Sequence, residues 1–322
     1  MVHHPPGDPA ADAAQFDTAY HAPVLVEEVV ALLRDAREVL DGTLGGGGHS
    51  HALLAAGVPR VTGIDRDPEA RATARARLAP WEREGRFRAV AGNYAQVNEL
   101  PELDGTRFDG ILLDLGISSH QVDDVARGFS FRAGAPLDMR MGEDATHTAG
   151  ELLDEADEKE LIRIFREYGD EPKAARLARE IVRRRANRPF ATSDDLVGAI
   201  RGALGPRSGP GDFARVFQAV RIAVNDELEG LARALPALRD RLAPGGVMAV
   251  IAYHSGEDRL VKHAFREWSA DCVCPPRQPV CTCRGKALGA LVTRRGIAAT
   301  AAEQARNPRA RSAHLRAWRK AA

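Results

Sequence analysis

The chain has 322 residues, 44% of them hydrophobic, and its 45 basic and 45 acidic side chains give a formal net charge of zero. This length is enough for a sizeable buried core, and we expect two structural units. No segment approaches the roughly 18 uninterrupted apolar residues of a membrane span, and the chain start lacks the pattern of a signal peptide, so we expect a cytoplasmic protein with no membrane partner.

The first segment, residues 1–20, is rich in Pro, Ala, Asp and His and has no periodic apolar pattern. It is predicted to be a flexible N-terminal extension. Elsewhere the charges are segregated by sign: 151–160 is acidic, while 176–188 and 306–320 are basic. The basic runs are either patches for a polyanion or solvated helix faces, and charge alone leaves both interpretations open.

From Val39 to Gly116, short apolar runs alternate with amphipathic stretches, which predicts strands and helices around a parallel sheet. The predicted strands are "EVLDG", "RVTGID", "RFRAVA" and "FDGILLDLG". Two helices are predicted between them, "SHALLAAG" and "DPEARATARARLA", and Pro68 stands at the start of the second, where its missing N–H is harmless. This pattern is the first half of a doubly wound sheet.

After Gly116 the strand signal stops and helical periodicity takes over. We predict an inserted helical domain over 126–225, and a sheet domain formed by 21–125 and 226–322. In the second part of the sheet domain, 226–322, "ELEGLARALPALRDRL" predicts a helix in which Pro236 makes a kink. The stretch "VMAVIAYHS" predicts a buried strand. A helix, "GEDRLVKHAFREW", and late strands near "GALVTRR" and "SAHLRAWR" complete the prediction.

Four consecutive glycines, Gly45 to Gly48, follow the first predicted strand and the acid Asp41. Ligands of open parallel sheets lie beyond the carboxyl ends of the strands, so this loop is the expected cofactor cradle, with a tight structural turn as the alternative. A branched side chain at Gly47 is accordingly expected to occupy the volume of the cofactor. Asp65 ends the second strand at the right distance to accept hydrogen bonds from a ribose diol.

The acids at the strand ends distinguish between two cofactors that both contain ribose. Asp41 and Asp114 would add negative charge beside the pyrophosphate of a dinucleotide, whereas the ammonium and sulfonium of S-adenosylmethionine are favourable partners for carboxylates. Ser50 also occupies the third glycine position of the dinucleotide fingerprint. The sequence therefore favours S-adenosylmethionine over a nicotinamide dinucleotide.

Many motifs, in order, resemble those of the bacterial ribosomal RNA small-subunit methyltransferase H family, also called MraW. They are "HAPVL", "LDGTLGGGGHS", "GIDRDP", "FDGILLDLGISS", "RGFSF", "PLDMRM", "FQAVRIAVNDEL", "LAPGG", "HSGEDRLVK" and "NPRARSAHLR". The resemblance implies an α/β fold of class I S-adenosylmethionine-dependent methyltransferases, a Rossmann-like doubly wound sheet with an inserted small all-helical domain. It also implies methylation of a cytosine N4 amine in the decoding region of 16S rRNA. The partner would be 16S rRNA in the 30S subunit, and a homodimer remains open.

The resemblance also implies a set of cofactor-binding residues. These are Gly47, Gly48, His49, Asp65, Tyr94, Asp114 and Gln121. The glycines and His49 would line the methionine end, Asp65 would take the ribose and Tyr94 would lie beside the adenine. Asp114 and Gln121 would contact the cofactor from the fourth strand and its following loop.

Methyl transfer to a cytosine N4 requires mainly orientation, because the lone pair of this nitrogen is delocalised into the ring. A carboxylate that accepts an N4–H bond would orient the amine, and Asp114 is the leading catalytic candidate. Two alternatives are open: a nearby backbone oxygen accepts this bond, or Asp114 only contacts the cofactor. No strong base is needed, since the methylated nitrogen is acidic.

A base in folded RNA must be splayed out to be methylated, and aromatic or guanidinium planes can then hold it. The stretch "RGFSFRAGAPLDMRM" supplies Phe129, Phe131, Arg132 and Arg140. The alternative is an ordered loop in which these side chains pack structurally.

The four cysteines of the chain lie in "CVCPPRQPVCTC". Paired thiols suggest metal sooner than disulfides in a cytosolic chain, but the Cys-x-Cys spacing is tighter than that of the usual zinc knuckle. Reduced thiols in a loop are the preferred interpretation and zinc is the alternative, so no metal ligand is predicted.

Two other functions remain open on the sequence. One is an NAD-dependent oxidoreductase on a similar sheet, and the other is a non-catalytic RNA-binding ribosome assembly factor with a vestigial cofactor pocket. Cofactor binding separates the first from a methyltransferase, and methyl transfer separates the second.

Overall fold

The computed structural model describes residues 23–275, 278 and 280–322, so the predicted extension over 1–20 lies outside the described residues. The described chain divides into two compact units, one ending at Gly116 and resuming over Gly230–Ala322, the other comprising Ile117–Glu229. The helical unit thus begins earlier than the predicted position 126, because Ile117 packs against its apolar core. It also ends later than the predicted position 225.

The first unit is built on a sheet that has eight strands among the described residues. These are β1 Glu38–Asp41, β2 Arg60–Asp65, β3 Phe87–Ala91, β4 Phe108–Asp114, β5 Leu242–Ala252, β6 Gly289–Leu291, β7 Ile297–Ala298 and β8 His314–Lys320. Their order is β3-β2-β1-β4-β5-β8-β6, and β7 pairs with β8. Strands β1 to β5 are parallel, and β8 runs antiparallel to β5, β6 and β7.

The described α-helices follow in chain order. They are α1 Val26–Leu33, α2 Gly48–Ala55, α3 Pro68–Arg83, α4 Ser119–Asp123, α5 Ala149–Glu155, α6 Glu158–Glu167, α7 Ala174–Arg185, α8 Ser193–Leu204, α9 Pro210–Asn225, α10 Glu227–Arg241, α11 Ser255–Trp268 and α12 Ala301–Arg306. The expected α/β fold with a Rossmann-like doubly wound sheet is confirmed, since β1 to β5 form a parallel sheet in the order β3-β2-β1-β4-β5 with helices between the strands.

The sheet separates two apolar layers, as the period of two along its strands requires. Val39 and Leu112 face one layer, while Leu40 and Ile111 on the same two strands face the other. Because both faces are covered, the strand ends are the part of the sheet where polar side chains can gather.

Helix starts in both units follow the expected capping chemistry. In α3, Pro68 occupies the first turn and the Asp67 carboxylate accepts a hydrogen bond from the backbone N–H of Glu69 at 3.0 Å. Pro236 lies inside α10, which continues to Arg241, so the prediction that this proline does not end the helix is confirmed.

The helical unit has its own core, formed by one apolar face of each main helix. In α6 the buried positions Leu161, Ile164 and Phe165 recur at three- and four-residue spacing. In α9, Phe213, Phe217 and neighbouring residues do the same. The sequence predicts four helices in this region, and they correspond in order to α6, α7, α8 and α9: "DEKELIRIFREYG", "EPKAARLAREIVRRR", "TSDDLVGAIRGAL" and "DFARVFQAVRIAV".

Among the described residues, no helix combines the length and the apolar character that a membrane crossing demands.

Candidate active site

The glycine loop is held between the carboxyl ends of β1 and β2. The backbone N–H of Leu44 donates to the carbonyl of Ile64 at 2.9 Å, and that of Gly45 donates to Asp65 Oδ2 at 2.7 Å. Gly45 has φ +50° and Gly47 has φ +75°, a conformation that side chains rarely adopt. Asp65 therefore fixes the path of the loop.

The space beside the later glycines is filled by the protein itself. A Cβ atom at Gly47 would lie 3.1 Å from Leu78 Cδ1 and 3.2 Å from Ala74 Cβ, both on α3, and one at Gly48 would lie 3.2 Å from the ring of Pro23. The expectation that a side chain at Gly47 would enter the volume of the cofactor is therefore corrected. Its Cβ would strike α3, because α2 begins in close contact with that helix.

Asp41, the acid before the glycines, is only 1% exposed. Its carboxylate accepts hydrogen bonds from Ser50 Oγ at 2.7 Å and from the backbone N–H of Thr43 at 3.3 Å. Burial raises the pKa of Asp41. The acid thus ties the end of β1 to the first turn of α2, and its influence on a bound cation would be through the field rather than by contact.

His49, Asp114 and Tyr253 form a cluster at the carboxyl edge of the sheet. Tyr253 donates its hydroxyl hydrogen to Asp114 Oδ1 at 2.8 Å, and His49 Nδ1 lies 3.7 Å from Asp114 Oδ2. On its other side, His49 Nε2 lies 2.9 Å from the carbonyl oxygen of Val24, which can only accept, so Nε2 carries a hydrogen. The site therefore presents a carboxylate flanked by a phenol and an imidazole.

Tyr253 was missed by the sequence interpretation, although its position carried a signal. It follows β5, and β5 lies beside β4 in the sheet, so the carboxyl-end rule brings it next to Asp114. Burial, followed by the charge of Asp114, raises the pKa of Tyr253 well above 10. Tyr253 thus stays protonated and remains a hydrogen-bond donor.

Thr43 is a second residue that the sequence did not single out. Its Oγ1 accepts a hydrogen bond from the backbone N–H of Asp114 at 2.6 Å, which joins the loop after β1 to the end of β4. This bond fixes the backbone at Asp114, so the carboxylate is positioned from both its main chain and its side chain.

Tyr94 begins a short 3₁₀ helix, Tyr94–Gln96, after β3. A Cβ atom at Gly42 would lie 3.3 Å from Tyr94 Cβ, so the aromatic residue packs close to the first residue after β1. Asn93 caps this turn by accepting a hydrogen bond from the backbone N–H of Ala95 at 2.9 Å. The structure thus places Tyr94 beside the start of the glycine loop.

Gln121 belongs to the helical unit, where it caps α4. Its Oε1 accepts a hydrogen bond from the backbone N–H of Ser118 at 3.1 Å, and its own backbone N–H donates to Ser118 Oγ at 3.2 Å. The side chain, expected from the sequence to contact a cofactor, has a structural role in this capping box.

The four residues proposed to hold a splayed base also lie in the helical unit. Phe129 is buried in its core, and Arg140 pairs with Asp138 at 2.8 Å, as in the structural alternative. Phe131 keeps 39% of its surface exposed and makes edge-to-face contacts with two core phenylalanines. Arg132 donates to a backbone carbonyl at 3.2 Å.

The donor set of the first unit fits an adenosyl cofactor. The strand order β2-β1-β4 places the glycine loop between two carboxylates, Asp65 at the end of β2 and Asp114 at the end of β4. Carboxylates accept hydrogen bonds from ribose hydroxyls and an ammonium group and attract a sulfonium, whereas they repel a pyrophosphate. These residues would hold S-adenosylmethionine in preference to a dinucleotide.

Comparison with known proteins gives consistent matches over nearly the whole chain. The model of the MraW methylase family matches residues 18–321. A ribosomal RNA small subunit methyltransferase H from Gemmatimonas aurantiaca is 67% identical over 302 residues, covering 94% of this chain and 96% of the relative. Proteins of the same name are 47% identical over 310 residues in Heliobacterium mobile, covering 94% and 99%, and 49% identical over 303 residues in Myxococcus xanthus, covering 92% and 96%.

Proposed function

This chain belongs to the MraW methylase family, and we propose that it methylates the N4 amine of a cytosine in the decoding region of 16S rRNA. Its methyl donor is S-adenosylmethionine. The observation that carries the proposal is the Asp114 carboxylate, fixed at the carboxyl end of β4 by Tyr253 and Thr43. The relatives named above are ribosomal RNA small subunit methyltransferases, which supports rRNA as the substrate class.

The cofactor would be held at the ends of β1, β2 and β4. We assign the ribose hydroxyls to Asp65, the adenine to the neighbourhood of Tyr94, and the methionine end to the loop Gly47–His49. When bound, S-adenosylmethionine supplies a methyl group made electrophilic by its sulfonium. The negative charge of Asp114 favours that cation at this edge of the sheet.

Asp114 is the group proposed to orient the acceptor amine. A carboxylate that accepts one N4–H bond directs the nitrogen lone pair and favours its pyramidal form, so the main contribution is geometric. The hydrogen bond from Tyr253 orients the carboxylate, and His49 lies against its other oxygen. After methylation the nitrogen is cationic, and its proton can leave to this weak acceptor or to water.

The helical unit and the segment 306–320 are proposed to position the RNA. Arg183 and Arg184 lie at the end of α7, and Arg309 and Arg311 are exposed near the start of β8. Arginines at such places contact phosphates and fix register without reading sequence. Since a single splayed base offers little binding energy, we propose a 30S particle or late precursor as the substrate, which places the protein in the cytoplasm.

The proposal is tested with tritiated S-adenosylmethionine and 30S particles from cells that lack the enzyme, followed by nucleoside analysis of the labelled RNA. Label in N4-methylcytidine is expected. Asp114→Asn, which keeps the shape but loses the charge, should bind the particle normally and transfer label more slowly. Short naked RNA should be a poor substrate.

Other outcomes distinguish the alternatives. Label in a C5-methylated pyrimidine, in adenine or only in protein would contradict the proposed acceptor. Cofactor binding by calorimetry with no transfer to any particle would favour a non-catalytic assembly factor. Family membership already sets aside the nicotinamide oxidoreductase, and NAD should show no binding in the same titration.

A further inference from the structure

All four cysteines of the chain come together in one cluster between α11 and β6. This thiol cluster consists of Cys272, Cys274, Cys281 and Cys283, whose sulfur atoms all lie within 4.8 Å of one another. Cys281 Sγ lies 3.8 Å from both Cys272 Sγ and Cys274 Sγ and 3.4 Å from Cys283 Sγ. Two Cys-x-Cys pairs, which the sequence favoured as thiols in a loop, therefore face each other.

The sulfur separations match those of a tetrahedron around one metal ion. With zinc–sulfur bonds of about 2.3 Å, an ideal tetrahedron has edges of about 3.8 Å between its sulfur atoms. Of the six sulfur–sulfur edges, three are 3.8 Å, one is 3.4 Å and the other two are no longer than 4.8 Å. A disulfide would require about 2.05 Å, and each thiol here faces more than one other, which is not a disulfide pattern.

The described residues of the loop that carries the cluster form no apolar core of their own. None of the described residues from 271 to 286 is buried, and Val273 and Val280 are 40% and 69% exposed. The loop is held to α11 and the residues after it by a few polar contacts. Leu288 N–H donates to the Trp268 carbonyl at 2.7 Å and Ala287 N–H donates to Asp271 Oδ1 at 3.2 Å. The Arg284 guanidinium donates to the carbonyls of Glu267 and Ala270. Short segments without a core are commonly ordered by a metal ion.

One further contact is typical of thiolate ligands. Val273 lies between Cys272 and Cys274, and its backbone N–H donates to the sulfur of Cys283, in the other Cys-x-Cys pair, at 3.4 Å. Such N–H donors to sulfur stabilise negative charge on thiolates and orient them around the metal. The cluster thus has four sulfur ligands for a metal ion and a backbone donor that orients one of them.

From this geometry we infer that the thiol cluster is a zinc site, in which four thiolates bind one Zn²⁺ and hold the two Cys-x-Cys pairs together. Binding converts four thiols into four thiolates and releases their protons to solvent. The coordination is closed, with no open position for a substrate, so the role is structural. The cluster lies outside the proposed methyl-transfer chemistry, which uses no thiol.

The test is elemental analysis of the full chain, produced without an added histidine tag and purified without chelators or added metal. About one zinc per chain is expected. The double variant Cys281→Ser with Cys283→Ser should lose the zinc, whereas Thr282→Ala, a change between the two ligands, should keep it. Thiol titration of the native protein should show four protected cysteines that become reactive when a strong chelator is added.

Three results would overturn the inference. The first is a reduced wild-type chain that contains no zinc and takes up none on titration. The second is stoichiometric iron in place of zinc. The third is an intact mass that shows disulfides among the four cysteines. Because the wild-type chain is itself measured, misfolding of the serine variant would not leave the inference untested.

Discussion

The carboxylate of Asp65 has two roles. It accepts hydrogen bonds from the backbone N–H groups of Gly45 at 2.7 Å and Asp67 at 2.9 Å, and it is also the group proposed to take the ribose hydroxyls. A carboxylate has about four acceptor sites, so both roles can be met together. The same residue therefore shapes the loop and binds the ligand of the loop.

Replacing Asp65 by Ala should weaken S-adenosylmethionine binding by about 1 to 3 kcal/mol, because the ribose loses charge-assisted partners. Isothermal titration measures the change. Asp67→Ala is the matched control, since it removes a neighbouring carboxylate that caps α3 and should lower stability more than affinity. Equal affinity of wild type and Asp65→Ala would show that the ribose lies elsewhere.

Burial raises the pKa of Asp65 to about 6, which predicts a pH dependence of cofactor binding. Ribose hydroxyls donate best to the ionised carboxylate, so affinity should be nearly full at pH 7, about half at pH 6 and lower as the pH falls further. At pH 5 the loss should be about tenfold, one pH unit below the pKa. Titrations from pH 5 to 7 measure it, and Asp65→Asn, which cannot titrate, should bind weakly at every pH in that range.

Tyr253→Phe should slow methyl transfer while leaving cofactor affinity nearly unchanged. The substitution removes the hydroxyl that donates to Asp114 at 2.8 Å and keeps the ring, and a hydrogen bond to a charged group contributes about 1.5 to 3 kcal/mol. Single-turnover rates on 30S particles compared with calorimetric affinities separate the two effects. Wild-type rates in this variant would show that the Tyr253 hydroxyl does not position Asp114 for methyl transfer.

At the scale of elements, the close approach of α2 to α3 dictates glycine at position 47. Gly47→Val should lower the free energy of unfolding by about 1 to 3 kcal/mol more than Gly85→Val, because only the first side chain meets Leu78 and Ala74. The two glycines have φ of +75° and +72°, so both variants carry similar backbone strain. Urea denaturation of both measures the difference, and equal losses would mean that strain alone matters.

Elements with strong periodicity were predictable from the sequence, and weakly patterned ones were not. The predicted β1 to β5 and α6 to α9 lie where the alternation and helical spacing indicated. Helices α5 and α12 have seven and six residues, too short for a convincing period, and α1 follows the motif "HAPVL" in a stretch for which no helix was predicted. The two-residue strand β7 is likewise defined by pairing with β8 rather than by its own pattern.

The site was predictable only in part, for a related reason. Asp65 and Asp114 could be found because each ends an apolar run, and the carboxyl-end rule then assigns them to one edge. Tyr253 is 139 residues from Asp114, and the capping role of Gln121 depends on side-chain geometry, so neither follows from spacing. The crowding at Gly47 required the position of α3, which no local pattern gives.

For the whole molecule, changing Arg183, Arg184, Arg309 and Arg311 together to Gln should weaken 30S binding and flatten its salt dependence. Each lost phosphate contact should reduce the slope of log affinity against log salt by about 0.7 to 0.9. Filter binding from low to moderate salt measures the slope. Cofactor affinity should not change, since the substitutions leave the glycine loop intact.

The two arginines of α7 in this variant, Arg183 and Arg184, should each contribute less than a full phosphate contact. Arg183 and Arg184 both pair with Glu180 at 2.7 Å and lower its pKa to about 2, so part of their charge is already neutralised. Changing Arg183 and Arg184 alone should therefore flatten the slope by less than the full value of about 0.7 to 0.9 per residue. Arg60→Gln with Arg75→Gln, two arginines whose side chains are each 60% exposed, is the control and should leave the slope unchanged. An equal change in the control would indicate nonspecific charge attraction.

The antiparallel strand β8 has a consequence for the biosynthesis of the chain. It lies between β5 and β6 in the sheet, yet both of those strands leave the ribosome before it does. Until β8 emerges, β6 has no partner in the sheet and the outer edge of β5 stays open, a state prone to pairing with other chains. A growing chain must therefore protect an unfinished edge during translation, and the last strand in sequence order is the one that closes it.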